Sequence, residues 1–521
     1  MADDMGFSDV GCFGGEIHTP NLDKLGANGL RFTQFYNCAR CCPTRASLLT
    51  GQYPHKVGLA QNGRSLRRNG ITIAEALKQA GYNTAMAGKW HLSVSRTLSD
   101  KKLHQKWLDH QYNPGHPFAP LETYPANRGF DKHYGVIWGV IDFFDPFSLI
   151  EGTEAVEAVP EDYYFTDAVT EKSVEYIREF SRSDKPFFLY VAHCAPHWPL
   201  HARPEDIARY KDTYKAGWHK LRNQRYKRQL QMGLFAKVNT PLPPVQGERA
   251  KWDNLSEKER AYQAGKMAVH AAMIDRIDQG IGNIVSILKQ TGQLDNTVIF
   301  FLSDNGASPE TPRGPGYDRT GRTRDGRKVI YETNEQDIPL ELLGSELSYT
   351  GIGGPWASAS NTPFRYWKKE SYEGGCHTPL IVHWPKGLKV KSGTITEETG
   401  HVMDIMPTCL ELADARYPAE YQSHTYLRHK LTPLDGKSLA PILAGIKRTE
   451  HDKIFFEHMG GRAARMGNWK LVALINEPWR LYNLAKDRTE TNDLAAMYPD
   501  RVRSMSAEWN RWAKRVGLQR P

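Results

Sequence analysis

The stretch that most constrains this chain runs from residue 258 to residue 306. Residues 258–290 keep one helical spacing of apolar positions and stop before Thr291-Gly292. They feed Thr297-Val298-Ile299-Phe300-Phe301-Leu302, a short β-branched and aromatic run of the kind buried on both faces in a parallel sheet. The run ends in Ser303-Asp304-Asn305-Gly306, which places two oxygen-bearing side chains at a strand tip, where α/β folds assemble their sites.

The same helix-then-strand unit recurs. Residues 165–182 have helical periodicity and precede the apolar run 186–192. Thr72, with Glu75 three positions on and Gly81 as a stop, frames a helix over residues 72–81, followed by a strand at 83–87. A further strand is expected at 379–383 and an amphipathic helix at 401–413. Residues 308–354 are Gly-rich, charged and without periodicity, and loops of that length are usually functional or disordered. Beyond about Gly445 the pattern changes to short strands at 453–458, 462–465, 469–475 and 480–484, then a helix over about 500–516 behind Pro499. The expected fold is therefore α/β, in two units. A large domain at 1–445 would carry a central mixed, mostly parallel sheet flanked by helices, and 446–521 would form a small antiparallel sheet with one helix.

Composition excludes several classes. No run of about 18 apolar residues exists, so no spanning helix is expected. Seven cysteines, an odd and sparse set, do not make a disulfide framework. The net charge of +9 favours acidic partners, but neither zinc-finger spacing nor an RNP-like run is present, so nucleic acid is not the expected partner. Residues 203–228 are densely basic with interleaved aromatics. A solvated helix face is the ordinary reading, and a rim for an acidic, sulfated glycan is the sharper one.

The chemistry centres on Cys41-Cys42-Pro43-Thr44-Arg45-Ala46-Ser47-Leu48-Leu49-Thr50-Gly51. Pro43 suits a first helical turn, so Cys41 is presented at a helix start, where free N–H groups favour an anion. Arg45 adds a planar donor fork suited to sulfate or phosphate oxygens. Asp3 and Asp4 are adjacent carboxylates that repel unless a cation sits between them. With Asp304 and Asn305 they form a four-oxygen set without clustered His or Cys, which suits a hard cation. Gly88-Lys89-Trp90-His91-Leu92 places Lys89 and His91 two apart, on one side of an extended chain. His197 stands between two prolines at a strand exit. Lys368 lies four residues before Tyr372 of the turn Tyr372-Glu373-Gly374-Gly375.

Cys41-x-Pro43-x-Arg45 with Ala46-Ser47-x-x-Thr50-Gly51 resembles the signature of the type I sulfatases, in the alkaline phosphatase superfamily. The resemblance continues through the segments around Lys89, His197, Asp304 and Tyr372, from Asp3 to near the C-terminus. It implies that Cys41, not Cys42, is converted by a formylglycine-generating enzyme to formylglycine, the hydrated aldehyde of which is the nucleophile. It implies Asp3, Asp4, Asp304 and Asn305, with the residue at Cys41, as ligands of one calcium ion per site. Arg45, Lys89 and Lys368 would hold sulfate oxygens, His91 would touch the formylglycine hydroxyl, and His197, with or without Lys368, would assist departure of the alcohol. His193 and Lys369 are expected to stay outside the catalytic set. The implied activity is hydrolysis of an organic sulfate monoester, aryl or carbohydrate, with a sulfated small molecule or glycan as partner. Two rivals remain: a phosphonate monoester or phosphodiester hydrolase, and an inactive sulfated-glycan-binding protein that keeps the pocket. In the family an apolar strand precedes the paired aspartates. An upstream strand and an export signal, giving a periplasmic or secreted protein, are therefore expected ahead of Met1.

Overall fold

The computed structural model of the protein describes residues 1–113, 115–333, 337–423 and 426–518. Strand β1 (Leu30–Phe32) leads to helix α1 (Cys41–Thr50), all ten residues of which are buried. Helix α2 (Ile73–Gln79) starts at the expected capping box: the Thr72 hydroxyl accepts from the Glu75 amide while the Glu75 carboxylate accepts from the Thr72 amide. It feeds β2 (Asn83–Gly88), and β3 (Lys132–Val136), β4 (Leu149–Glu151) and β5 (Glu154–Ala155) follow. Helix α3 (Phe165–Phe180) precedes β6 (Phe187–Ala192). Helix α4 (Gly217–Gln231) carries much of the basic run, and α5 (Glu257–Gln290) is the long helix, opened by a Ser256–Glu259 capping box. It delivers β7 (Ile299–Leu302), and β8 (Leu380–His383) and β9 (Thr394–Thr396) come after the long loop. The helix expected at 401–413 is shorter, because residues 402–404 form a 3₁₀ turn before α6 (Ile405–Leu412), and it is not the last before residue 445, since a one-turn helix follows at Ala440–Leu443.

These strands form two sheets. One has the order β5-β4-β3-β2-β6, parallel at β3-β2-β6 and antiparallel at β3-β4-β5. The other has the order β9-β1-β8-β7, with β1-β9 parallel and β1-β8-β7 antiparallel. Residues Met1–Asp3 run between β6 and β7 and hydrogen-bond to both: the His193 amide donates to Met1 O at 3.0 Å and the Ala2 amide to Leu302 O at 2.9 Å. The mixed α/β architecture is the one expected.

Side chains alternate across these sheets, as a pleated strand requires. Ala85 and Ala87 of β2, Phe301 of β7 and Ile381 of β8 face one apolar core, which the buried middle of α5 also joins. Met86, Leu302, Leu380 and Val382 face the other, with Leu48 and Leu49 of α1. Two-sided burial is why these strands read as continuous apolar runs. The C-terminal region is a four-stranded antiparallel sheet, β10 (Ile454–His458), β11 (Gly461–Met466), β12 (Trp469–Ala473) and β13 (Arg480–Asn483) in sequential order, covered by α7 (Pro499–Arg515) through Trp509 and Trp512. Among the described residues, no helix is long and apolar enough to cross a membrane.

The basic run is a solvated face only in part: Lys211, Lys215, Lys220 and Lys227 are exposed, but two of its arginines are not. Arg222 and Arg225 are buried on α4: Arg222 donates to the carbonyls of Ser358, Pro363 and Phe364, and Arg225 to Asp9 Oδ1 at 2.6 Å and Glu16 Oε1 at 2.8 Å. Arg209 pairs with Asp275. These guanidiniums tie α4 and its neighbours to the loops behind Asp4. Arg222 and Arg225 are neither a solvated face nor a rim, whereas Arg209 stays exposed. A bidentate donor that meets carboxylates and bare carbonyls is more useful inside than out.

Candidate active site

The expected residues converge from strand ends and one helix start. β2 delivers Lys89 and His91, β6 delivers His197, β7 delivers Asp304 and Asn305, and α1 begins at Cys41 itself. Arg40 is the N-cap of α1 in an extended conformation, φ −149° and ψ 144°. Lys89 and His91 do meet on one side, though by a different route from extended chain. His91 has φ +54°, and the Trp90 and His91 amides are held by Val136 O and Ile137 O. Asp4 also has a left-handed backbone, φ +68°, which only surrounding contacts can stabilise for a non-glycine residue.

Carboxylates and cations alternate through the centre. Lys89 Nζ donates to Asp3 Oδ2, and Arg45 Nη2 reaches Asp3 Oδ2 at 3.3 Å and Asp304 Oδ2 at 2.9 Å. Lys368 Nζ donates to Asp4 Oδ2 at 2.8 Å, and His197 Nε2 lies 3.6 Å from the same oxygen. Asn305 Nδ2 donates to Asp4 Oδ1 at 2.6 Å. Cys41 Sγ lies 3.5 Å from His91 Nδ1. Cys42 turns away, its thiol 4.0 Å from Gln61 O within an apolar cluster. Lys369 is exposed, and His193 is buried with neither ring nitrogen partnered.

The charges follow from this packing. Against the cost of burial, Lys89, His197 and Arg45 hold Asp3 well below the usual carboxylate range. Burial, with Asp3 beside it, raises Asp304 to about 7. Burial and the Lys368 charge lower His197 to about 4, and burial with Lys89 and Arg45 lowers His91 well below an ordinary imidazole. Burial pushes the Cys41 thiol up, opposed by the Lys89 and Lys368 ammoniums.

A cation would find donors here. Ligand atoms of Asp3, Asp4 and His197 lie within 4.8 Å of one another. Asp3 Oδ1 and Asn305 Oδ1 are buried acceptors without a hydrogen-bond partner. Asp304 faces its two oxygens to the Asp4 amide and to Arg45. Buried acceptors left bare are costly, and a hard cation is the group that relieves both.

Sequence reasoning missed Glu310, which lies in the aperiodic loop six positions after Asp304. Its carboxylate accepts from Arg40 at 2.7 Å and from Trp198 Nε1 at 3.0 Å, and lies 3.5 Å from Lys368 Nζ. It thereby joins the neighbours of Cys41 and His197 to Lys368. Against burial, Lys368 and Arg40 hold Glu310 far below the usual range. A charged residue just after an Asp-Asn strand tip was the available signal, and nothing about its spacing named its partners.

The family model described as Sulfatase matches residues 1–415, and the model of the N-sulphoglucosamine sulphohydrolase C-terminal region matches residues 364–505. The chain is 31% identical to an uncharacterized sulfatase of Schizosaccharomyces pombe, over 99% of this chain and 93% of that protein. It is 33% identical to the arylsulfatase of Klebsiella aerogenes, over 85% of this chain and 90% of that one. Among solved structures it is similar to Ps i-CgsB in complex with k-i-k-neocarrahexaose, with a TM-score of 0.65 and 23% identity over 99% of this chain and 92% of the other.

Proposed function

The chain belongs to the sulfatase family and is a sulfuric ester hydrolase, and on that premise we propose that its nucleophile is formylglycine made from Cys41 and that a calcium ion completes the site. The observation that carries this reading is the pairing of Cys41, at the first position of a buried helix, with His91 at 3.5 Å, beside four buried oxygen ligands. Formylglycine would supply a hydroxyl nucleophile on a carbon that can return to an aldehyde, so that sulfate leaves without water having to attack sulfur. Asp3, Asp4, Asp304 and Asn305 would hold the cation, whose chemistry is to polarise a sulfate oxygen and ease ionisation of the nucleophile. The bare Oδ1 atoms of Asp3 and Asn305 support this set.

The side chains divide the remaining work. Arg45, fixed by Asp304 and by Lys89 O at 3.0 Å, keeps its guanidinium beside the nucleophile. Lys89 and Lys368 stand on either side of the paired aspartates and offer preorganised positive charge to the sulfuryl oxygens. His91, neutral because it is buried among cations, accepts a proton at Nδ1 from the residue at 41. His197 Nδ1 lies against Trp198 O, so that nitrogen carries the hydrogen and Nε2 is an acceptor. Lys368, held protonated by Asp4 and Glu310 despite burial, is then the group with a proton to give to the departing alcohol oxygen as the S–O bond breaks.

The test is the mass of the Cys41 peptide from protein produced with a formylglycine-generating enzyme, alongside rates on paired aryl sulfate and phosphonate esters. Loss of the thiol in step with sulfate-ester turnover is expected. Full turnover with the thiol intact, or a phosphonate ester consumed faster than its sulfate counterpart, would overturn the assignment.

A further inference from the structure

Lys368 is held by two carboxylates that come from separate segments of the chain. Its Nζ donates to Asp4 Oδ2 at 2.8 Å and stands 3.5 Å from Glu310 Oε2. A flexible four-carbon stem lets an ammonium swing about a single partner, whereas two partners fix where it stands. Asp4 has other calls on it, accepting from Asn305 Nδ2 at 2.6 Å and lying 3.6 Å from His197 Nε2. Both carboxylates line the same narrow cleft.

Glu310 is itself pinned, although it lies in the long loop after β7. Its Oε1 accepts from Arg40 Nη1 at 2.7 Å, and Arg40 is the N-cap that presents Cys41. Its Oε2 accepts from Trp198 Nε1 at 3.0 Å, and the Trp198 ring packs on His197 with centres 4.7 Å apart. A Cβ at Gly351 would fall 2.1 Å from Glu310 O, so the loop reaches this position only because residue 351 has no side chain. The backbone closes the circuit. The Lys368 amide donates to Ala307 O at 3.1 Å, and the Lys369 amide to Ala39 O at 2.6 Å. Glu310 thus ties the helix start that carries residue 41 to Lys368 and, through Trp198, to His197.

We infer that Glu310 is a positioning residue for the hydrolysis: it aims the Lys368 ammonium at the ester oxygen of the leaving alcohol and keeps it in register with residue 41. The inference rests on the assignment of Lys368 as proton donor above and extends it by one residue. Aim matters most where the proton matters most. A p-nitrophenolate leaves readily as an anion, whereas the oxygen of a sugar or simple alcohol leaves poorly until it is protonated. Lost aim should therefore be felt far more by sugar sulfates than by activated aryl sulfates.

The experiment measures kcat and KM for p-nitrophenyl sulfate and for a monosulfated monosaccharide, in protein carrying the modified Cys41. Glu310→Gln keeps the size of the side chain and removes its charge. It should lower kcat for the sugar sulfate by about tenfold and for the aryl ester by about twofold, with the loss in kcat rather than KM. In a Lys368→Ala background the same change should add less than about twofold to the sugar-sulfate loss, because a residue acting through Lys368 has nothing left to aim. Trp198→Phe keeps a ring on His197 and gives up the hydrogen bond to Glu310. It should show the same selectivity at smaller size, and it decides the matter if Glu310→Gln melts below wild type. Equal losses on the two esters, or a Glu310→Gln effect undiminished without Lys368, would overturn the inference. Lys368→Ala that slows both esters alike would instead remove Lys368 as proton donor, and the inference with it.

Discussion

Two buried ion clusters in this molecule look alike and differ in what they are built to do. The first is the site: Asp3, Asp4 and Asp304 against Arg45, Lys89 and Lys368. The second lies where the C-terminal sheet meets the large unit. There Lys470 Nζ stands 2.7 Å from Glu373 Oε1 and 3.0 Å from Glu490 Oε1, with all three side chains fully buried. Tyr36 Oη donates to Glu373 Oε2 at 2.9 Å, and the Glu373 amide to Glu490 Oε2 at 2.8 Å. Glu373 directly follows Tyr372, in the turn that carries Lys368 into the site. At this junction one lysine sits sealed between two carboxylates. At the site, Asp4 and Glu310, both partners of Lys368, line a narrow cleft, and Asp3 Oδ1 and Asn305 Oδ1 are left bare. Ion pairs that face a cleft can be exchanged for a cation or a sulfate. Sealed pairs can only be broken.

The sharpest way to test that difference is to remove the nucleophile. Cys41→Ala should abolish sulfate release to the detection limit without unfolding the chain, while Cys42→Ala, whose thiol only packs, should keep most of it. Equal loss in both would mean that α1 is sensitive as a helix and that Cys41 has no distinct role. At the junction, Lys470→Ala leaves two buried carboxylates uncompensated and should cost about 3–5 kcal/mol of stability. Chemical denaturation reads this directly, and a change under about 1 kcal/mol would show that the cluster is not sealed in solution.

Lys368→Ala belongs to the other class. It should cost roughly 100- to 1000-fold in kcat while leaving calcium binding intact or stronger, since Lys368 and the cation compete for Asp4. Asp304→Ala should weaken calcium binding. Calorimetry showing calcium affinity lost with Lys368 and kept without Asp304 would reverse the two roles.

The smallest expected effect is a pH dependence at the junction. Burial, opposed by Lys470 and reinforced by Glu373, raises Glu490 to about 7, while Lys470 and His377 hold Glu373 near 2 against burial. A raised carboxyl binds its proton more tightly when folded. Its contribution is therefore full below the unfolded value and is lost as pH rises through 7. The Glu373 contribution is present above the unfolded value and is lost as pH falls towards 2. Glu490→Gln should thus leave stability unchanged near pH 4.5 and add about 2–3 kcal/mol at pH 8. Melting curves of the two proteins that run parallel from pH 5 to 8 would contradict this.

The sequence by itself determined the parts with a local physical signature. Two-sided burial leaves continuous apolar runs, so β2, β6, β7 and β8 were legible to within a residue or two, as were the Thr72–Glu75 cap and the C-terminal meander. The start of α1 at Cys41 was legible because Pro43 has one favoured place in a helix. Lys368 could be separated from Lys369 by its offset from Tyr372, and the two differ as expected, one buried on Asp4 and one exposed.

Only the tertiary structure decided which charges serve the site. Arg222 and Arg225 read as surface cations because burial of a guanidinium depends on carboxylates and carbonyls that arrive from residues 9, 16, 358 and 363, far away in sequence. Glu310 was silent for the same reason: its role comes from meeting Arg40, Trp198 and Lys368, three side chains on three other segments. The left-handed turns at Asp4 and His91, too, carry no glycine to announce them and are held by hydrogen bonds from distant strands. Periodicity and capping are written within a few residues of chain. Charge pairing in a buried site depends on which loops meet, and that is settled only when the two sheets close around them.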